Sequence, residues 1–211
     1  MKHIVKSPPP VEFEDWKKLT NDDWQPAWDY LRGTLKENLH KHLLAEQGHI
    51  CCYCEVRISE GSSHIEHLKP RSSFPEDALN YQNFLASCQR DLKPGEPRHC
   101  GNLKGNWYDS NLMVSPLSSV CEDRFRYTGD GGICPQSDDN LAAKETISHL
   151  GLGIDKLRAL RSKAIEPIIN ALDSLKNDEI DNLATGFQAR NGDGEYAEFC
   201  TAIVYILRNY A

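Results

Sequence analysis

The sequence predicts an α+β protein, a small metal-supported centre of short strands set in a mainly helical frame. Three observations carry this. Five of the eight cysteines fall between positions 51 and 100. Residues 59–110 are rich in turn formers and poor in periodicity, so their loops and short strands need something other than a large apolar core to hold them. On both sides of that stretch apolar residues recur three and four apart, the spacing of amphipathic helices.

Each element follows in order. Residues 1–23, interrupted by Pro8, Pro9 and Pro10, read as an extended segment anchored by Trp16, with Trp24 anchoring the start of the next. Residues 24–134 read as the core region. It opens with a helix from Trp24 to Gln47 carrying Trp28, Leu31, Leu35, Leu39, Leu43 and Leu44, with Gly48 as its stop. His49 to Ile58 alternates and is rich in Cys, which suits a knuckle or hairpin. Arg124–Tyr127 and Gly132–Ile133 flank Gly129-Asp130-Gly131 as a second hairpin. Residues 135–211 read as a helical region, with helices at Asn140–Leu150, Ile154–Leu175 and Glu195–Tyr210. Ser137 or Asp139, and Asp155, serve as caps or first-turn acids, and Asp178-Glu179-Ile180-Asp181 as a solvated helix start. Ile203, Ile206 and Leu207 face inward.

Composition limits the function. The 211 residues suit one domain with helical additions, and no apolar run has the length of a signal peptide or a membrane span, so a cytoplasmic protein with no membrane association is expected. In that compartment clustered Cys point to metal rather than disulfides. A net charge of −7 disfavours a free-standing nucleic-acid binder. The acidity is uneven: residues 51–110 hold seven Lys/Arg against eight Asp/Glu, and residues 135–199 hold seven against twelve. A nucleic-acid site is therefore placed in the middle, helped by cations or a basic partner.

Cys51-x-x-Cys54 has zinc-knuckle spacing, and Cys88 and Cys100 can supply a second pair across a long loop, since closure entropy grows slowly with length. Cys52 with Cys54 is the alternative first pair, and a group of reduced core thiols is the alternative to metal. Cys121, Cys134 and Cys200 read as small buried hydrophobes. His64, Glu66 and His67 lie between the Cys pairs. An imidazole there can deprotonate water at neutral pH, while a carboxylate holds a divalent cation against a phosphate oxygen.

The acid–His–x–x–Pro run at Glu66-His67-Leu68-Lys69-Pro70, then Asn83-Phe84 ahead of Cys88, then Cys100-Gly101-Asn102-Leu103-Lys104, resembles an HNH nuclease of the ββα-metal type. Leu43–Glu55, Tyr81–Cys88, Ser115-Pro116-Leu117 and Cys121–Phe125 narrow the resemblance to the HNH subunits of Septu and retron-linked anti-phage systems, over roughly residues 35–135. The resemblance implies His67 as general base and Asn83 as the brace of its loop. It implies a structural Zn²⁺ on Cys51, Cys54, Cys88 and Cys100, and a catalytic Mg²⁺ or Mn²⁺ on Glu66 and Asn102, with Lys104 or Arg71 on phosphate. It also implies an ATPase partner of the PtuA kind, or a retron reverse transcriptase complex with its DNA. One position departs from the pattern: the final His that directly follows the last Cys is Gly101 here, and His64 or His99 stands in reserve for Asn102. The function expected is metal-dependent cleavage of nucleic acid; a zinc-stabilised adaptor without catalysis is the alternative, and a Cys-x-x-Cys redox protein lacks the βαβ context it needs.

Overall fold

The computed structural model describes residues 1–210. Its helices are α1 (Val11–Lys17), α2 (Gly33–Glu46), α3 (Gly101–Lys104), α4 (Leu141–His149), α5 (Asp155–Leu172), α6 (Asn177–Gln188) and α7 (Cys200–Asn209). The strands are β1 (Ser63–His67), β2 (Phe84–Cys88), β3 (Phe125–Tyr127) and β4 (Ile133–Pro135). They form two separate antiparallel pairs, β1 with β2 and β3 with β4. The architecture is α+β, as the sequence predicts.

β1 pairs with β2 from Ser63 opposite Cys88 to His67 opposite Phe84. Every residue of β2 is buried, and α2 packs against it. Its outer edge is closed by Gln47, whose amide donates to the Ala86 and Ile50 carbonyls, each at 2.9 Å, and accepts from the Ala86 N–H at 2.7 Å. One side chain thereby satisfies a buried edge that would otherwise leave polar backbone unpaired. It also ties the knuckle, bridged from Ile50 to Arg57, to the hairpin.

Residues 1–23 are not extended throughout. The prolines end where α1 begins; Pro10 precedes the helix, Glu12 and Glu14 occupy its first turn, and Phe13 is buried with its ring 5.8 Å from Phe84. The long helix expected from Trp24 is shorter. Pro26 and the left-handed Gly33 (φ 57) interrupt it, so Trp28 sits in a single 3₁₀ turn and the helix runs only from Gly33. Gly48, at φ 59, stops it as expected.

The C-terminal frame follows the predicted periodicity with shifted ends. Asn140, rather than Ser137 or Asp139, caps α4 by accepting from the Ala143 N–H at 3.1 Å. The acidic run opens α6, where Glu179 accepts from the Lys176 N–H at 2.8 Å. Residues 195–198 stay outside α7, which begins after a left-handed Phe199 and buries Ile203, Ile206 and Leu207 against α5 and α6. The frame grips the centre through Glu55, next to Cys54. Its buried carboxylate takes the Thr201 N–H at 3.0 Å and the Met1 amino group at 2.7 Å. Among the described residues no helix is long and apolar enough to cross a membrane.

Candidate metal centre and active site

The knuckle, the end of β2 and the residue before α3 bring Cys51, Cys54, Cys88 and Cys100 together. All four are buried, and their sulfurs lie within 4.8 Å of one another. The Cys54 and Cys88 sulfurs are 3.7 Å apart, close to the ~3.8 Å separation of two thiolates about 2.3 Å from one tetrahedral ion. Cys52 stays outside the cluster, its N–H bound to the Ala86 carbonyl at 3.1 Å. The thiols also titrate apart. Burial pushes Cys54 and Cys100 up; burial pushes Cys51 up too, but hydrogen bonds from Cys100 and its neighbours outweigh it and hold Cys51 well below the usual thiol range. A packed set of this kind favours one thiolate, and further deprotonation calls for a cation to share; the donor set fits Zn²⁺. Two details support a fixed site. The Cys88 N–H donates to the Cys51 sulfur at 3.4 Å, and His99 Nδ1 lies 3.2 Å from the Cys100 sulfur. Cys100 itself sits at φ 54, ψ −137, a conformation that costs a non-glycine residue of order 1–3 kcal/mol and persists where the surroundings fix it.

The second cluster adjoins the first on the same face of the hairpin, where Ser87, paired opposite His64, has its Oγ 3.9 Å from the Cys51 sulfur. His64 and Glu66, two residues apart on β1, share a strand face. Glu66 Oε2 is 3.5 Å from His64 Nε2, while Glu66 Oε1 accepts from Lys104 Nζ at 2.8 Å and from the Tyr53 hydroxyl at 3.2 Å. Burial raises the proton affinity of Glu66, but the His64 contact and the Lys104 ammonium outweigh it, so the carboxyl is held below its ordinary range. Gly101 closes the far side, its N–H donating to Ser87 Oγ at 3.1 Å. A Cβ at position 101 would lie 2.5 Å from Glu66 Oε2 and 3.0 Å from His64 Nε2. The space that a side chain on α3 would fill is taken by His64 and Glu66 from β1.

His67 points to the other face of the hairpin end. Its Nε2 lies 3.1 Å from the Ala78 carbonyl, which fixes Nε2 as the N–H and leaves the Nδ1 lone pair free. Trp28 packs its edge 4.4 Å from the imidazole and Phe84 lies at 5.0 Å. Burial is the main reason that the His67 pKa falls to about 4, so the ring is neutral at physiological pH. Asn83 spans the intervening loop: its side chain accepts from the Lys69 N–H at 2.7 Å and donates to the Lys69 carbonyl at 2.9 Å and the Asp77 carbonyl at 3.2 Å.

Three sequence-predicted residues stand elsewhere. Lys104, expected on phosphate, is only 3% exposed, and its ammonium is held by Glu66 and by the His67 carbonyl at 3.0 Å. Asn102, expected beside Glu66 as a metal ligand, directs its amide N–H to the Gln89 carbonyl. Arg71 reaches the surface, with its guanidinium 3.1 Å from Asp29 and 5.5 Å from the Trp28 ring. Sequence reasoning missed Tyr53 and Trp28 as members of the site. Tyr53 lies within Cys51-x-x-Cys54, a position that carried its own signal; Trp28 was absorbed into an apolar stripe.

No family model matches the chain. It is 31% identical over 182 residues to the Retron Vc95 protein of Vibrio cholerae serotype O1 biovar El Tor, which carries an HNH endonuclease name, covering 80% of this chain and 84% of that one. It is 28% identical over 182 residues to the Septu protein PtuB of Bacillus thuringiensis, covering 80% of this chain and 65% of the relative. A Retron Ec83 protein of Escherichia coli, also named for an HNH endonuclease, is 28% identical over 106 residues, covering 44% of this chain and 41% of its own length. The chain belongs to the HNH endonuclease family of retron and Septu systems.

Proposed function

We propose that the protein is a metal-dependent nuclease that hydrolyses phosphodiester bonds of nucleic acid as the effector of an anti-phage defence system. The observation that carries this is the arrangement at the end of the β1–β2 hairpin. A neutral imidazole with a free Nδ1 directly follows a buried, ionised carboxylate at the end of β1, and a four-cysteine cluster adjoins the carboxylate's face.

In this reading Cys51, Cys54, Cys88 and Cys100 hold Zn²⁺ as a closed structural site, with all donor positions filled by protein. Glu66 Oε2 and His64 Nε2 hold the catalytic Mg²⁺ or Mn²⁺. Their 3.5 Å separation is short enough for both to reach one ion at ~2.1 Å. His64 thereby replaces the His that Gly101 lacks, and Gly101 leaves room for both donors, whose ends a Cβ there would have to displace. The cation supplies charge neutralisation at the phosphate oxygen and leaving group.

The chain's own groups do the rest. His67 Nδ1 takes the proton of the attacking water, and the Ala78 carbonyl holds the tautomer that makes this possible. Asn83 fixes the loop from Leu68 to Gln82 that carries that carbonyl. Lys104 orients Glu66 and balances its charge instead of touching phosphate. Asn102 holds the Gln89 turn beside the metal sites.

The retron and Septu relatives support a role beside other components of a defence system; the partner proposed is an ATPase of the PtuA kind, or a retron reverse transcriptase with its DNA. The net charge of −7 is in keeping with a nuclease that relies on a partner to approach its target. The test is incubation of the purified chain, alone and with an ATPase of the PtuA kind, with plasmid DNA and with RNA in Mg²⁺ and in Mn²⁺. Cutting that His67→Ala abolishes supports the proposal. Absence of cutting in every combination, with zinc bound and the fold intact, refutes it.

A further inference from the structure

The predicted phosphate contact at Lys104 is buried, which leaves open where a polyanion would lie. A groove of about 400 Å³ runs between the N-terminal half of α2 and β1. Lys36, His40, His64 and Arg90 line it, Trp28 forms one wall, and Glu37 is the carboxylate on its lining. It reaches both sides of the hairpin edge: His64 is the neighbour of Glu66, and Trp28 is the neighbour of His67.

The groove's cations differ from most others on this surface. Lys41 pairs with Glu60 and Arg71 with Asp29, but Lys36 and Arg90 make no ion pair among the described residues. Lys36 Nζ is held 4.9 Å over the Trp28 ring, and Arg90 is anchored through the Glu60 carbonyl at 2.8 Å. Neither anchor neutralises charge. Burial, then Arg71, lower the proton affinity of Lys36; Asp29 raises it, and Arg90 and Arg32 lower it, so these cations lie within one another's field. Lys36 and Arg90 outnumber Glu37 on this lining, a local positive excess on a chain of net charge −7 that suits an anionic ligand.

We propose that this groove binds the sugar–phosphate backbone of the nucleic acid beside the scissile bond, with Lys36 and Arg90 as phosphate contacts. The inference rests on the nuclease reading for its substrate. Its chemistry is that of a phosphodiester polyanion, which DNA and RNA share.

The test uses the full-length zinc-loaded chain carrying His67→Ala, which binds without cutting. Affinity for labelled DNA and RNA oligonucleotides, single-stranded and duplex, is measured across a KCl series. Lys36→Gln and Arg90→Gln are added singly and together, with Lys144→Gln on α4 as a charge-matched control and with zinc content and melting temperature checking the fold. Each groove substitution is expected to weaken binding and to lower the slope of log affinity against log salt by about one, and the pair by about two, with the control unchanged. The arm in which the slope falls identifies DNA or RNA. Slopes equal to the control's, or a parent chain that binds none of the oligonucleotides, overturn the groove. Failure of the nuclease reading shows separately, as absence of cutting by the chain with His67 intact while the groove's salt dependence persists.

Discussion

Two donor sets beside the β1–β2 hairpin use similar residue types for opposite ends. In the first, four buried thiols converge from three segments, so the site ties the knuckle, the end of β2 and the start of α3 together. In the second, His64 and His67 are partly accessible beside a buried Glu66, which engages Lys104 and Tyr53, while His67 engages the Ala78 carbonyl. A closed donor set fixes structure, whereas an incompletely filled one beside a base can act on a substrate. The difference implies that damage to the first set destroys the fold, while damage to the second destroys activity and leaves the fold.

The strongest way to break this contrast is Cys54→Ala. Apparent binding energies of structural zinc are about 10–16 kcal/mol in zinc-finger peptides, so the variant is expected to lose its zinc by mass spectrometry and its cooperative unfolding transition by circular dichroism. A zinc-free variant that still melts cooperatively would merge the two regions into one. Next in size is His67→Ala. Removal of a general base is expected to lower nuclease turnover about 10²–10⁴-fold while zinc content and melting are retained.

Glu66→Gln sharpens the boundary, because Glu66 serves both the fold and the catalytic site. It removes a metal ligand and leaves the buried Lys104 ammonium unpaired, a change expected to cost about 3–5 kcal/mol in denaturant unfolding as well as activity. Gly101→His, which restores the family's usual residue, is expected to destabilise by about 1–3 kcal/mol and not to raise activity, since its Cβ meets Glu66 and His64. A gain of cutting would instead mean that the catalytic cation belongs on α3.

The smallest effect is in pH. The folded-state pKa of His67, about 4, lies below its ordinary 6.5, so between those values the unfolded chain binds the proton first. The contribution of His67 to stability is complete above about pH 6.5 and is lost as pH falls towards 4. Unfolding free energy followed over pH 4–7 should therefore slope less in His67→Ala than in the parent. Equal slopes would place the imidazole in solvent.

The scaffold was legible because its signals are local or chemically narrow. Cys51-x-x-Cys54 states a metal by spacing, and the three- and four-residue periodicity states the helices. The acid–His pair at Glu66-His67 was legible for the same reason. What the sequence obscured depends on contacts across many residues. Lys104 reads as a solvent-exposed cation until β1 brings Glu66 to it, and Asn102 looks like a ligand only when Gly101 is judged along α3. The period of two on β1 places His64 on the same face as Glu66, so that signal was present in the sequence. The helix at Val11–Lys17 was hidden by the prolines before it, and α2 was overextended because Trp28 fits an apolar stripe that Pro26 and Gly33 interrupt.

The central claim is that a structural metal and a catalytic one occupy two distinct donor sets beside one hairpin. Its most direct measurement is the metal content of the purified His67→Ala and Glu66→Gln chains beside the parent, taken with Mn²⁺ binding and nuclease turnover on the same samples. The account predicts one tightly held zinc in all three, Mn²⁺ binding kept in His67→Ala and lost in Glu66→Gln, and turnover lost in both. Zinc that leaves with Glu66→Gln in a still-folded chain, or turnover that survives His67→Ala, would contradict it.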